Sequence, residues 1–90
     1  MFEIGDQLQL SDSGRMHAQT RCTLDDLPMN STFANALLDE STYPVTYLGY
    51  DGTYHNYRTN NGLPWHLRHT VYFETYESEA DQKDFMNMLP

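Results

Sequence analysis

The stretch VTYLGYDGTYHNYRT, residues 45–59, decides the fold of this chain. Two runs rich in tyrosine and β-branched residues flank the dipeptide Asp51-Gly52. This dipeptide favours a two-residue hairpin turn, because both of its positions take positive φ. The stretch therefore predicts a β-hairpin with strands at 45–50 and 53–59.

A two-residue turn also fixes which side chains share a face of the hairpin. It would place Tyr50 opposite Thr53 and Tyr47 opposite Asn56. A small domain cannot cover both faces of its sheet, so we expect one tyrosine-bearing face to contact a partner. The residues predicted for that contact are Tyr47, Tyr54 and Arg58.

The residues after the hairpin predict a further strand in the same antiparallel sheet. Asn61-Gly62-Leu63-Pro64 is typical of a turn, and alternation over 66–76 predicts a long strand with Leu67, Val71 and Phe73 facing the core. The opposite row would stand in solvent unless a partner covers it. With the neighbouring Trp65, it gives the main predicted contact surface: Arg68, Tyr72, Glu74 and Tyr76.

The rest of the chain predicts short elements around that sheet. Residues 2–10 suggest a strand with a break at Gly5-Asp6, and 15–21 a second strand after a turn at 11–14. Asn30 or Ser31 would cap a helix that runs through Leu38. Ser78 would cap a second helix at the C-terminal end, with Asp81 at the capping-box position three residues later. The sequence predicts one α+β domain, residues 1–90, with four to five mostly antiparallel strands and one or two short helices.

Size and composition restrict the biochemistry. With 90 residues and 39% hydrophobic residues, the chain has a thin stability margin, which a homodimer would increase, and no room for a cofactor cavity. The single cysteine, Cys22, excludes an internal disulfide and predicts a buried structural thiol. The start MFEIGDQLQL lacks a basic region and a long apolar run, and no later stretch suits a membrane helix. We therefore expect a cytoplasmic protein that binds no membrane.

The charge is negative and unevenly distributed. The net charge is −8, yet residues 43–76 carry two acids and two arginines, so the excess lies on either side of them. Long-range repulsion argues against direct binding of nucleic acid and favours a protein with a basic surface. The C-terminal carboxylates predicted to engage that surface are Glu77, Glu79, Asp81 and Asp84.

No catalytic or metal-binding pattern stands out. His66 and His69 have the spacing of a helical metal pair, but in a strand they point to opposite faces. His55 and Asn56 are adjacent in a strand, so they cannot act together as a base and its orienting group. Common enzyme signatures are absent from the sequence. We therefore predict a non-enzyme with no metal, no cofactor and no catalytic residues.

The aromatic residues indicate recognition. All seven tyrosines and the only tryptophan fall between Tyr43 and Tyr76, among Asn, His, Arg and Gly. We expect a protein-binding module, an acidic inhibitor of the type encoded by phages or mobile elements. It would act in the host cytoplasm on a host enzyme or nucleic-acid-binding defence protein. The alternatives are an assembly subunit that forms a homo-oligomer through its aromatic face, and a small nucleic-acid binder or nuclease.

Overall fold

The structure is a computed structural model, and it describes residues 2–76. The strands are β1 (Gln7–Leu10), β2 (Val45–Tyr50), β3 (His55–Arg58), β4 (Pro64–Leu67) and β5 (Phe73–Thr75). The helices are α1 (Asp12–Thr20) and α2 (Ser31–Leu38), followed by a 3-10 turn at Glu40–Thr42. All strand pairs are antiparallel, in the order β4-β3-β2-β1-β5. The predicted α+β fold is confirmed, while the helix predicted after Ser78 lies outside the described residues.

Helix α1 replaces the strand predicted at 15–21, which is wrong. Ser11 is the N-cap, and its Oγ accepts a hydrogen bond of 3.0 Å from the Gly14 N–H. Gly14 and Ala18, four residues apart, form the buried side of the helix. The helix ends where Arg21 adopts the left-handed conformation, with φ of 57°. The predicted turn at 11–14 is therefore the beginning of a helix.

Helix α2 forms where the sequence predicts it. The Asn30 Oδ1 accepts from the N–H groups of Thr32 (2.8 Å) and Phe33 (3.2 Å), as an N-cap does. Ala34 and Leu37 are buried, and the Phe33 ring packs edge-on against Trp65 with centroids 5.1 Å apart. This contact holds the start of α2 against β4.

The hairpin of β2 and β3 is confirmed, but its predicted register is wrong. Tyr50 pairs with His55, so the connection is a four-residue loop, and the pairing shifts between Tyr47 and Gly49. Tyr47 therefore faces Tyr57, and both side chains are buried. The loop is favoured over the two-residue turn because Asp51 Oδ1 accepts from two backbone N–H groups within it, those of Thr53 and Tyr54.

The single strand predicted at 66–76 is also wrong. Its first part belongs to β4, which pairs with β3, while its last part is β5, which pairs with β1. Residues 68–72 cross from one edge of the sheet to the other. The predicted turn before it is confirmed, with Gly62 at φ of 89° and β4 beginning at Pro64. The hairpin and both parts still share one antiparallel sheet, as predicted.

The core lies between one face of the sheet and the helices. Leu8, Val45 and Tyr57 are fully buried, and Phe73 packs on Tyr57 with ring centroids 4.8 Å apart. Alternation places Gln9, Thr46, Arg58 and Glu74 on the other face. The predicted core position of Phe73 is confirmed, and Leu67 and Val71 pack against the core while partly exposed.

Two further findings concern the chain as a whole. Cys22 is exposed, so the prediction of a buried thiol is wrong; α1 ends just before it and the chain turns away from the core. Neither helix described in residues 2–76 has the length and apolar character to span a membrane.

Candidate partner-binding site

The predicted contact residues do not form one surface. Tyr47 and Tyr72 are both 96% buried, so the prediction that Tyr72 stands in solvent on the face opposite the core is wrong. The Tyr72 hydroxyl instead accepts a hydrogen bond of 3.1 Å from the Leu24 N–H. Trp65 is half-buried between Phe33 and Phe73. Neither tyrosine can offer its ring to a partner in this conformation.

The predicted hairpin surface is divided between the two sides of the sheet. Tyr47 lies in the core, whereas Arg58 is exposed on the open face between Thr46 and Pro64. Tyr54 lies in the loop and is half-buried. The carboxylates Glu77, Glu79, Asp81 and Asp84 lie outside the described residues.

Glu74 and Tyr76 do come together, in a cleft of about 550 Å³ at the β5 edge of the sheet. We call it the acidic cleft. It gathers residues from β1, both helices, the 3-10 turn and the end of β5. It is lined by Gln9, Leu10, Asp12, Arg15, Leu37, Leu38, Glu40, Tyr43, Glu74 and Tyr76.

Hydrogen bonds fix the position of two groups in the acidic cleft. Gln9 Nε2 donates to Glu74 Oε1 across the β1–β5 pair at 3.0 Å. The Tyr43 hydroxyl donates to the Leu37 carbonyl at 2.6 Å, and burial raises the pKa of this phenol while the nearby Arg15 charge partly opposes the rise. Tyr43 therefore remains neutral at physiological pH. The cleft combines an oriented carboxylate with a neutral aromatic wall.

Within residues 2–76, no cation lies within 4.0 Å of the carboxylates that line the acidic cleft. Three carboxylates, those of Asp12, Glu40 and Glu74, share the cleft with one guanidinium, that of Arg15. In the part of the chain from 2 to 76, the one ion pair within 4.0 Å is between His69 Nε2 and Asp25 Oδ2, at 3.4 Å. The cleft carboxylates therefore keep their capacity to bind an incoming cation. Leu38 and Tyr76, each 37% exposed, add apolar contact area at the cleft.

The predicted contact residues do not include Asp12, Arg15, Glu40 and Tyr43, which also line the acidic cleft. The sequence predicts a turn for Asp12 and a strand for Arg15, and only their place on α1 brings them beside β5. The N-cap pattern of Ser11 before Asp12 was the available signal. For Glu40 and Tyr43 the sequence contains no comparable signal, because their position depends on how α2 packs.

A second cleft, of about 400 Å³, lies at the β4 edge of the sheet. We call it the Arg68 cleft. It brings together the predicted residues Arg68, Tyr54 and Tyr72 with the loop before α2. It is lined by Thr23, Asp25, Leu27, Met29, Asn30, Phe33, Tyr54, His66, Leu67, Arg68, His69 and Tyr72.

The histidines belong to hydrogen-bonded pairs. His66 Nδ1 contacts Asn56 Oδ1 across the β3–β4 pair. Among residues 2–76, no group of three or more His, Cys, Asp and Glu side chains is arranged to hold a metal ion.

Comparison with known proteins gives no family for this chain: no protein-family model, no curated protein and no solved structure matches it.

Proposed function

We propose that this protein is a non-enzymatic protein-binding module that covers a basic, nucleic-acid-binding surface of another protein. The observation that carries the proposal is the acidic cleft. It holds three carboxylates with no cation within 4.0 Å among the described residues, in a chain of net charge −8. A surface of this kind attracts a basic partner and repels phosphate backbones.

The shape and lining of the acidic cleft support a lysine or arginine side chain as the group that enters. A cation there would meet the oriented Glu74 carboxylate, and its aliphatic stem would lie along Leu38 and Tyr76. A tyrosine ring beside the cation adds a cation–π contact. The composition suggests an inhibitor of a host defence or nucleic-acid-processing protein. Such an inhibitor needs only to cover the basic surface of its target, without catalysing a reaction.

Affinity capture from a host lysate tests this proposal. The immobilised wild-type chain should retain a partner that high salt releases and that added DNA displaces, since both compete for the same basic surface. The double variant Glu40→Gln/Glu74→Gln should bind that partner roughly two- to thirtyfold more weakly, because each exposed ion pair contributes about 0.2–1 kcal/mol. The retained protein is identified by mass spectrometry, and its affinity is measured by calorimetry.

Glu3→Gln/Asp26→Asn is the matched control, because it removes the same two charges from exposed positions outside the acidic cleft. Equal weakening by both double variants would show that net charge, and not the cleft, attracts the partner. A partner that DNA does not displace would contradict the proposed target surface. Light scattering on the same sample tests the homo-oligomer alternative, which requires a mass above that of the 10.5 kDa monomer.

A further inference from the structure

The Arg68 cleft differs in chemistry from the acidic cleft. Its floor is apolar and includes the partly exposed Phe33 and Leu67, and the Phe33 ring packs edge-on against the buried Tyr72. Its polar side chains include Arg68, His66 and His69. A cleft of about 400 Å³ with an apolar floor and a few polar groups is typical of a site for a small molecule.

The hydrogen bonds around Asn56 fix the proton on the His66 ring. Asn56 Nδ2 lies 3.3 Å from Asp51 Oδ2, 3.3 Å from the Tyr54 carbonyl and 3.4 Å from the Gly49 carbonyl. All three are acceptors, so the amide nitrogen must face them and Oδ1 must face His66. In the neutral ring Nδ1 therefore donates to Asn56, and Nε2 is left as an acceptor.

The charge balance of the Arg68 cleft favours an anion. Arg68 is exposed, and in the described part of the chain no carboxylate lies within 4.0 Å of its guanidinium. Asp25, the one acid in the lining, pairs with His69. The N–H groups of Thr32 and Phe33 at the start of α2 are already bonded to Asn30, so the side chains of the cleft are the main donors for an anionic ligand.

We propose that the Arg68 cleft binds a small ligand that joins a planar aromatic ring to a phosphate, the chemistry of a nucleoside monophosphate. Arg68 would bind the phosphate, and the ring would lie against Phe33 and Leu67. A sugar hydroxyl would donate to His66 Nε2. A free mononucleotide is favoured over the end of a nucleic acid strand, because the net charge of −8 repels a long polyanion.

Amide NMR of the full chain, titrated with AMP, tests this inference. Saturable chemical-shift changes should concentrate in residues 23–33 and 66–72. AMP should bind more tightly than adenosine, which has the aromatic ring without the phosphate, and than inorganic phosphate, which has no ring. Arg68→Gln should weaken AMP binding about tenfold or more, as loss of a charged hydrogen bond does. Arg58→Gln should leave it unchanged, because Arg58 is an exposed arginine outside the cleft.

Three results would overturn the inference. One is an absence of saturable shifts up to about 10 mM AMP, a concentration that excludes even a millimolar site. Another is equal weakening by Arg68→Gln and Arg58→Gln, which would show general attraction to positive charge. The third is tighter binding of a 5′-phosphorylated tetranucleotide than of AMP, which would assign the cleft to a strand end instead of a free mononucleotide.

Discussion

Of the five glycines, Gly14 has the least room for a side chain. A Cβ at this position would lie 2.2 Å from the Tyr72 carbonyl oxygen and 2.8 Å from Leu10 Cδ1. The carbonyl is held in place, because it accepts a hydrogen bond of 3.0 Å from the Ser11 N–H. The close approach of α1 to the segment before β5 therefore depends on glycine.

Gly14→Ala should destabilise the fold by about 1–3 kcal/mol, the usual cost of overpacking. Alanine favours a helix interior over glycine by about 1 kcal/mol, so a loss of stability would identify the clash as the larger effect. Urea denaturation followed by circular dichroism measures the change. Gln19→Ala, on the exposed side of the same helix, is the control for propensity alone. A Gly14→Ala variant as stable as wild type would show that α1 can move away from Tyr72.

The tyrosines show why residue type alone does not identify a binding surface. Tyr47, Tyr57 and Tyr72 are buried, and each hydroxyl has a hydrogen-bond partner, so the rings serve as core residues. Tyr50 and Tyr76, 58% and 37% exposed, remain available for contact. The buried and the exposed tyrosines are the same residue type, and only their packing in the fold distinguishes core residues from possible contact residues.

For the secondary-structure elements, the hairpin loop after β2 depends on one carboxylate. Asp51 Oδ1 accepts from the N–H groups of Tyr54 (2.8 Å) and Thr53 (2.9 Å), and Oδ2 accepts from Asn56 Nδ2 (3.3 Å). These bonds lower the pKa of the Asp51 carboxyl in the folded state, and the bond from the Tyr54 N–H has the largest effect. A depressed carboxyl pKa contributes stability that is present above the unfolded pKa and is lost as pH falls through the folded value.

Asp51→Asn should lower the thermal midpoint at neutral pH and reduce the loss of stability on acidification. Asparagine keeps an acceptor oxygen but has no titrating charge, so the two proteins should differ above about pH 4 and converge below it. Thermal melts between pH 2 and pH 7 measure this difference. Glu3→Gln, with a side chain that makes no hydrogen bond within residues 2–76, is the charge-matched control. A constant difference across the pH range would show that the carboxylate charge is not what stabilises the loop.

The elements that sequence could predict are those with a local cause. The Asn30 cap and the apolar spacing predict α2, and the turn residues predict the hairpin and the turn before β4, although β4 begins at Pro64, two residues before the predicted strand. Helix α1 was missed because Ser11 caps it, while Gly14 inside it imitates a turn. The end of β4 was missed because alternation continues through 68–72, although the chain there crosses to the other edge of the sheet. Neither cleft was predictable, since each requires long-range packing.

For the molecule as a whole, the main feature is the separation of two clefts with opposite charge preference. The acidic cleft includes β5 and the Arg68 cleft includes β4, which are the two edges of the sheet. The sheet is curled, so that the Trp65 and Phe73 rings of these two strands stack in the core with centroids 6.2 Å apart, but the two clefts have no lining residue in common. Arg68, Glu40 and Glu74 are all exposed, and the Debye length at physiological salt is about 8 Å, so salt weakens the interaction between the charges of the two clefts. If both proposals hold, the two sites should therefore act independently.

Charge variants in the two clefts should consequently have separable effects on binding. Glu40→Gln/Glu74→Gln should weaken binding of a short arginine-rich peptide and leave the affinity for AMP within about twofold, while Arg68→Gln should do the reverse. In the triple variant the changes in binding free energy should add to within about 0.5 kcal/mol, as they do for sites without shared partners. Calorimetric titration of each variant with each ligand at 0.15 M salt, near the physiological value, measures all the required quantities. If Arg68→Gln altered peptide affinity as much as the acidic-cleft double variant does, the peptide would be responding to the net charge of the chain. The assignment of the basic partner to the β5 edge would then have to be withdrawn.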